Sequence, residues 1–201
     1  MLAGASGGAY TTMVASMLLG RENRQDLIKL LVLICPMLGR TLEDAPIERV
    51  PEWEKPWLNC IPWSLIVDDF DTKHRTRDPL LYPFEISLEE AKKLPKTVLF
   101  TSEFCMLRRD THQIIPKLKE AGVYLDHADY AGSAHGMFGW FPEDPAFLLF
   151  DKDMNKVFDY AKQEELHILK KNTLKDKMSI LRYKKNDDES DGLQSDKDLE
   201  N

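Results

Sequence analysis

Two apolar runs along the chain show no alternation with polar positions. They cover residues 26–38 and 96–102, and each is followed by a turn or by polar residues. Continuous apolar runs of this kind are typical of strands buried on both faces of a parallel sheet. Residues 123–130 alternate in part and indicate a further strand, and the first four residues form a short apolar segment. These segments are predicted to form one sheet.

Helical patterns separate and follow the predicted strands, over residues 9–19, 87–91, 110–121 and 144–165. Ser87 and Glu90 form the capping-box pattern at the start of the second helix. Pro116 is expected to kink or interrupt the third helix, and Gly122 to close it. The order of strands and helices predicts an α/β fold with a mostly parallel sheet and flanking helices.

Residues 40–84 show neither the helical nor the strand periodicity of apolar positions, and they are rich in tryptophan, proline and charged residues. This segment is predicted to be an excursion of short helices and loops that leaves the sheet and returns. Residues 1–165 are therefore predicted to form one domain that carries this insertion. Residues 166–201 are highly charged and low in hydrophobicity, so we expect a disordered tail.

The net charge of −7 is concentrated at the end of the chain, because residues 186–201 hold seven acidic residues and one basic residue. The rest of the chain is nearly neutral and carries no field that favours nucleic acid or anionic lipid. A basic stretch over residues 170–185 is expected to offset the acidic tail. The alternative for this stretch is a phosphate-binding or lipid-surface site.

Three cysteines, Cys35, Cys60 and Cys105, lie in dissimilar surroundings and form no C-x-x-C pair. This usage indicates reduced thiols in a cytoplasmic protein rather than a disulfide framework. No histidine has a partner at a metal-ligand spacing in the sequence, so no metal site is predicted. No apolar run reaches the roughly 20 residues that cross a bilayer, and no signal peptide is recognised.

A serine lies between glycines near the start of the chain, in the segment Gly4-Ala5-Ser6-Gly7-Gly8. The G-x-S-x-G pattern is typical of a strand-to-helix turn that presents a nucleophilic serine. Glycines two positions before and two after are expected to remove side chains that would collide at such a turn. Ser6 is therefore the candidate nucleophile, and it needs a base within hydrogen-bond distance.

His135 is the candidate base. It lies in the loop after the last predicted strand, between Gly132 and Gly136, which give the backbone freedom to aim the imidazole outward. The carboxyl ends of parallel strands meet at one edge of a sheet, so Ser6 and His135 are predicted to converge there. The alternative is an ordinary surface histidine.

Four segments, in conserved order, resemble the hormone-sensitive-lipase-like α/β-hydrolases, a group that includes the arylacetamide deacetylases and many microbial carboxylesterases. Residues 4–9 resemble the family's G-D-S-A-G-G, and residues 78–83 resemble D-P-L-x-S-P. Residues 102–109 resemble A-E-x-D-P-L-R-D, and residues 130–137 resemble Y-x-G-x-x-H-G-F. The resemblance covers about residues 1–160 and implies a partial α/β-hydrolase fold with a helical cap.

The resemblance implies a serine carboxylic-ester hydrolase that acts on small-molecule acyl esters without a cofactor or metal. Ser6 would be the nucleophile, His135 the general base, and the Gly7 backbone N–H one oxyanion donor. The insertion would be cap material over an acyl pocket, or it would simply pack on the sheet. The aromatic residues concerned are Trp53, Trp57, Trp63 and Phe70.

The chain departs from the family pattern in two ways. Cys105 stands where the family has the carboxylate that orients the histidine, and a thiol is a weaker hydrogen-bond acceptor. Glu103 and Asp110 are the nearby candidate substitutes. The family's H-G-G-G oxyanion loop and first strands precede the serine and have no counterpart before Ser6. We therefore expect a partial chain with an unpaired sheet edge and impaired activity.

Two functions remain open on the sequence. The first is an esterase or lipase-like enzyme with reduced rate. The second is a non-catalytic α/β-hydrolase remnant that binds a hydrophobic ligand or a protein partner, an alternative favoured by Cys105 at the acid position. The sequence leaves the acyl substrate and the oligomeric state undetermined.

Overall fold

A computed structural model describes residues 1–39, 78–136, 143 and 145–167. The chain divides into two compact units, Met1–Met154 and Asn155–Asn201. Most of the predicted insertion and of the predicted tail lies outside the described residues, so the domain boundaries stay predictions. No helix in the described ranges is both long enough and apolar enough to cross a membrane.

The described part of the first unit contains a sheet of four strands. They are β1 (Leu2–Ala5), β2 (Leu30–Ile34), β3 (Lys96–Ser102) and β4 (Tyr124–Tyr130), in the spatial order β1-β2-β3-β4. All neighbouring strands pair in parallel. The structure confirms the predicted α/β fold class, and it places the carboxyl ends of all four strands at the same edge.

Among the described residues, three helices lie between the strands. They are α1 (Gly7–Arg21), α2 (Leu88–Ala91) and α3 (Arg108–Glu120). Short 3-10 turns cover Gln25–Leu27 and Pro83–Glu85. Residues 145–154 are helical at the end of the first unit, and residues 155–167 are helical in the second.

Strands β2 and β3 are buried because they lie in the middle of the described sheet. Leu30, Leu31, Val32 and Leu33 are at most 2% exposed, which explains why their apolar run does not alternate. Strand β2 is shorter than the predicted run of residues 26–38, because a 3-10 turn covers the start of that run and a loop covers its end.

One face of the sheet is covered by α1 and α3. Met13 and Met17 of α1 and Ile114 and Leu118 of α3 belong to one buried cluster with the strand residue Leu99 and its neighbours. On β3 the next side chain points the opposite way. There the Phe100 ring contacts the rings of Tyr130 and Phe150.

Helix α3 runs through Pro116 without interruption, so the predicted interruption is wrong, and the alternative of a kink stays a prediction. Proline removes one helical hydrogen bond, at a cost of about 3 kcal/mol in a helix interior. The complete burial of Ile114 and Leu118 on the sheet keeps the helix intact on both sides of the proline. Its end is as predicted: Gly122 has φ 73°, and the Val123 N–H donates to the Leu118 carbonyl at 3.1 Å.

The capping box at α2 is confirmed. The Ser87 hydroxyl accepts a hydrogen bond from the Glu90 N–H at 3.2 Å, and the Glu90 carboxylate accepts from the Ser87 N–H at 3.4 Å. This pair satisfies two backbone donors at the start of a helix of one turn. Helix α2 begins where the sequence predicts it.

The two outer glycines of the serine segment differ in their surroundings. A Cβ at Gly4 would lie 2.4 Å from both the Gly8 carbonyl oxygen and the Thr12 hydroxyl oxygen, whereas nothing in the described structure lies within 4 Å of a Cβ at Gly8. The expectation that both glycines relieve a collision therefore holds for Gly4 and is wrong for Gly8. Gly4 is required because the start of α1 packs directly on β1.

We expect Gly4→Ala to lower the free energy of unfolding by about 1–3 kcal/mol, since the backbone carbonyl it meets cannot rotate away. Urea denaturation followed by circular dichroism measures this loss. Gly8→Ala is the matched control: it should leave the stability unchanged or raise it by about 0.5–1 kcal/mol, because it adds a helix-favouring residue. Equal stability of the two variants would contradict the packing argument.

Candidate active site

Ser6 occupies the turn between β1 and α1. Its backbone has φ 55° and ψ −122°, a conformation that non-glycine residues rarely adopt. Strain of this kind costs about 1–3 kcal/mol and persists only where the surrounding structure imposes it. Here the Ser6 N–H donates to the Ile34 carbonyl at 2.9 Å, and the Ser6 carbonyl accepts from the Ala9 N–H at 3.0 Å. The turn is held from both the sheet and the helix.

The Ser6 side chain does not cap α1, although serine is a favoured capping residue and Ser6 stands at the capping position. Its Oγ lies 2.9 Å from Nε2 of His135 instead. The strained backbone therefore directs the hydroxyl away from the helix and toward the imidazole. The structure brings together two residues that are 129 positions apart in the sequence.

Hydrogen bonds hold the loop that carries His135 to the segment after β3 and to the end of β4. The Ser133 carbonyl accepts from the Phe104 N–H at 2.9 Å, and the Ser133 hydroxyl donates to the Tyr130 carbonyl at 2.7 Å. Both bracketing glycines of the loop have positive φ, 72° at Gly132 and 81° at Gly136. These turns need glycine, and they set the direction of the imidazole between them.

Cys105 lies on the other side of the imidazole ring. Its Sγ is 3.1 Å from Nδ1 of His135, and the residue is 5% exposed. Ser6, His135 and Cys105 thus form a continuous chain of polar contacts through the two ring nitrogens. The sulfur occupies the position that a carboxylate takes in a serine–histidine–acid triad.

The two candidate substitute acids have different surroundings. The Glu103 carboxylate accepts a hydrogen bond from the Gly132 N–H at 2.8 Å, so it holds the backbone of the histidine loop. Asp110 lies buried in the first turn of α3, and its Oδ2 is 3.0 Å from the position of a Cβ on Gly39. The contact that the structure gives for Nδ1 of His135 is with Cys105 Sγ.

A second cysteine joins this group, and sequence reasoning missed it. Cys35 directly follows β2, is 2% exposed and has φ 42°. A hydrogen bond with Cys105 lowers the pKa of the Cys35 thiol to about 6, against the opposing effect of burial, and His135 adds to the lowering. The sequence contained one signal for Cys35: it follows a predicted buried strand, and the ends of predicted strands were also the reason to select Ser6 and His135.

The backbone at the start of α1 is a source of anion-binding donors. Gly7 is the first residue of the helix and directly follows Ser6. The first N–H groups of a helix have no partner within it and carry the positive end of its dipole. An oxyanion that formed beside Ser6 would face this end of α1.

The predicted pocket residues lie outside the described residues. Trp53, Trp57, Trp63 and Phe70 therefore stay predictions. The end of the insertion is described: the Tyr10 hydroxyl donates to the Leu80 carbonyl at 2.7 Å. This contact ties the segment that resembles the family's D-P-L-x-S-P to the first turn of α1.

Comparison with solved structures shows the same fold in several esterases. An esterase from Rhizomucor miehei is 24% identical with a TM-score of 0.57, over 80% of this chain and 52% of that one. Carboxyl esterase 2 from Tuber melanosporum is 21% identical with a TM-score of 0.63, over 79% and 52%. Brefeldin A esterase, a bacterial homologue of human hormone-sensitive lipase, is 23% identical with a TM-score of 0.62, over 79% and 46%.

The chain spans about half the length of these structural relatives. A comparison with curated proteins found no match. A family model described as alpha/beta hydrolase fold matches residues 1–139, which include the serine turn and the histidine loop. The chain belongs to the alpha/beta hydrolase fold family.

Proposed function

We propose that the protein is a serine carboxylic-ester hydrolase in which Ser6 is the nucleophile and His135 the general base. The observation that carries the proposal is the distance of 2.9 Å between Ser6 Oγ and His135 Nε2. A hydroxyl at this distance can pass its proton to a neutral imidazole as it attacks. The strained turn that presents the hydroxyl supports the same role.

The proposed reaction has two stages. Ser6 Oγ attacks the ester carbonyl carbon while its proton moves to His135 Nε2, and the Gly7 N–H donates to the resulting oxyanion. The carbon–oxygen bond to the alcohol then breaks, and the alcohol leaves with the proton from Nε2. In the second stage water attacks the acyl-serine while His135 takes a proton of that water, and His135 then returns this proton to Ser6 Oγ as the bond to the acyl carbon breaks and the carboxylic acid leaves.

The identity of the third residue sets the expected rate. During each attack the imidazole becomes positively charged, and a carboxylate on Nδ1 would stabilise that charge. The neutral thiol of Cys105 is a weaker acceptor than a carboxylate. Removal of the acid from a well-studied triad costs about 10⁴-fold in rate, so this chain should be a slow hydrolase.

The proposed substrates are small or medium acyl esters. The support is the esterase activity named for the structural relatives, together with the predicted aromatic insertion over the site. Small-molecule ester hydrolysis also requires no cofactor, in keeping with acyl transfer by serine and histidine alone.

Labelling with a fluorophosphonate probe tests the proposal. We expect the probe to form one adduct, located on the peptide that contains Ser6 by mass spectrometry. His135→Ala should slow the labelling by at least about 100-fold, because a general base contributes about 10²–10⁴-fold. His112→Ala is the matched control, since this exposed histidine lies on α3 and contacts Asp129 rather than Ser6, and it should label at the wild-type rate.

An adduct elsewhere in the chain, or equal labelling of the wild type and His135→Ala, would contradict the assigned roles. Absence of any adduct would favour the second candidate, a non-catalytic remnant that binds a hydrophobic ligand or a partner protein. The observation that favours this candidate is Cys105 at the position of the acid.

A further inference from the structure

The carboxyl ends of three neighbouring strands bring two sulfurs and an imidazole together. Cys35 follows β2, Cys105 follows β3 and His135 follows β4. One ligand atom of each residue, Sγ, Sγ and a ring nitrogen, lies within 4.8 Å of the other two. The nitrogen closest to the sulfurs is Nδ1, at 3.1 Å from Cys105 Sγ.

Cys35 has no role in the proposed hydrolysis. Both cysteines are buried thiols outside any disulfide, and they pack with Met106 and Leu107 in a small apolar cluster. Packing in an apolar cluster does not require sulfur at both positions. A pair of sulfurs beside an imidazole nitrogen is, in contrast, a donor set for soft metal ions.

We propose that Cys35, Cys105 and His135 Nδ1 form a binding site for a thiophilic divalent cation of the zinc class. Two thiolates, one imidazole and an open fourth position is a ligand set known from zinc enzymes. Binding would leave two thiolates and a neutral imidazole on the ion, and it would release to solvent the protons that the thiols still carry. Spacing in the sequence predicts no such site, because each ligand comes from a different strand.

The separations of the ligand atoms fit a tetrahedral ion. Bonds of about 2.3 Å to sulfur and 2.0–2.1 Å to nitrogen place ligand atoms roughly 3.6–3.8 Å apart. The separations in the cluster extend from 3.1 Å up to at most 4.8 Å, so shifts of about 1 Å or less bring all three into range. The Ser102 hydroxyl, 3.6 Å from Cys35 Sγ, is placed to orient that ligand by a hydrogen bond.

A second group of candidate ligands, His112, His127 and Asp129, lies elsewhere on the described surface. Its only carboxylate already accepts hydrogen bonds from Arg108 and from the Thr101 hydroxyl. A fixed guanidinium charge at this position opposes a cation. This group also contains no sulfur, so a spectroscopic signal from thiolate distinguishes the two.

Metal binding would act directly on the proposed active site. An ion on Nδ1 fixes the remaining imidazole proton on Nε2, where it would point at Ser6 Oγ. The nitrogen could then no longer accept the serine proton. This consequence rests on the proposed function, whereas the binding of the ion does not.

Titration of the reduced, metal-free full-length chain with Co²⁺ tests the site. We expect a thiolate-to-cobalt charge-transfer band that saturates at one ion per chain and is displaced by Zn²⁺. Proton release on binding, followed with a pH indicator in weak buffer, gives an independent readout on the wild-type protein, and we expect at least about one proton per ion. Cys35→Ser and Cys105→Ser should weaken binding by at least about 100-fold, since loss of even an outer-shell partner costs 10–100-fold.

Cys60→Ser is the matched control and should keep the band and its affinity. Circular dichroism of each metal-free variant verifies that it is folded. No band in the wild type, or the same band in Cys35→Ser, would overturn the proposal. Fluorophosphonate labelling with and without Zn²⁺ separates the two proposals: a normal band with labelling unchanged by Zn²⁺ supports the metal site and counts against His135 as the base.

Discussion

Cys105→Asp should accelerate the hydrolysis of a short p-nitrophenyl ester by about 10³-fold. The sulfur of Cys105 lies 3.1 Å from Nδ1 of His135, so a carboxylate at this position reaches the same nitrogen. A carboxylate stabilises the imidazolium that forms during attack and holds the ring in the tautomer that accepts the serine proton. Loss of this acid costs about 10⁴-fold in a well-studied triad, and restoring it should recover most of that factor. The steady-state rate in reducing buffer measures the gain.

Cys105→Asn is the matched control, because it has the shape of aspartate without the charge, and we expect no gain from it. The combination of Cys105→Asp with His135→Ala should also be inactive, since the new carboxylate acts only through the imidazole. An unchanged rate in Cys105→Asp would contradict the enzyme proposal and favour a non-catalytic remnant. If the rate gain of Cys105→Asp remained in the combination with His135→Ala, the assigned contacts from residue 105 through the imidazole to Ser6 would be contradicted.

Ser6→Ala in the Cys105→Asp background should remove the restored activity completely, a loss of at least about 10³-fold. The hydroxyl is the atom that bonds to the acyl carbon, and loss of nucleophile and loss of base cost similar factors because the residues act as a unit. The rate of p-nitrophenol release and the disappearance of the phosphonate adduct both measure the effect.

Ser16→Ala is the control for this substitution. Ser16 is a buried serine of α1, the helix that follows Ser6, and its hydroxyl donates to the Thr12 carbonyl at 3.0 Å. Its removal should leave the rate unchanged and produce only a small loss of stability. Residual hydrolysis in Ser6→Ala at the level of the parent would mean that another group, such as a cysteine thiol, reacts with the ester.

The proposed hydrolase site and the proposed metal site both use Cys105 and His135. Aspartate at position 105 improves the proposed triad and removes one sulfur from the proposed metal site, so the two functions should respond to it in opposite directions. Asparagine should lower metal binding without improving hydrolysis. The pair of substitutions therefore separates a triad that has lost its acid from a site in which sulfur has a function of its own.

Much of the fold followed from local patterns. The apolar runs of β2 and β3 predicted buried parallel strands because both faces of those strands are covered. The capping box at Ser87 and the glycine end of α3 were readable because these signals act over a few residues. Pro116 was misjudged for the opposite reason: the helix around it is stabilised by packing against the sheet, which no local pattern records.

The fold class, the serine turn and the histidine loop were predictable from the sequence, because short motifs encode backbone geometry directly. That Cys35 and Cys105 lie beside the same imidazole, and that Glu103 binds the loop backbone rather than the ring, became visible in the folded chain. The cause is the parallel sheet. Residues far apart in the chain meet at the carboxyl ends of neighbouring strands, and the registers of β1 through β4 set which side chains are brought into contact.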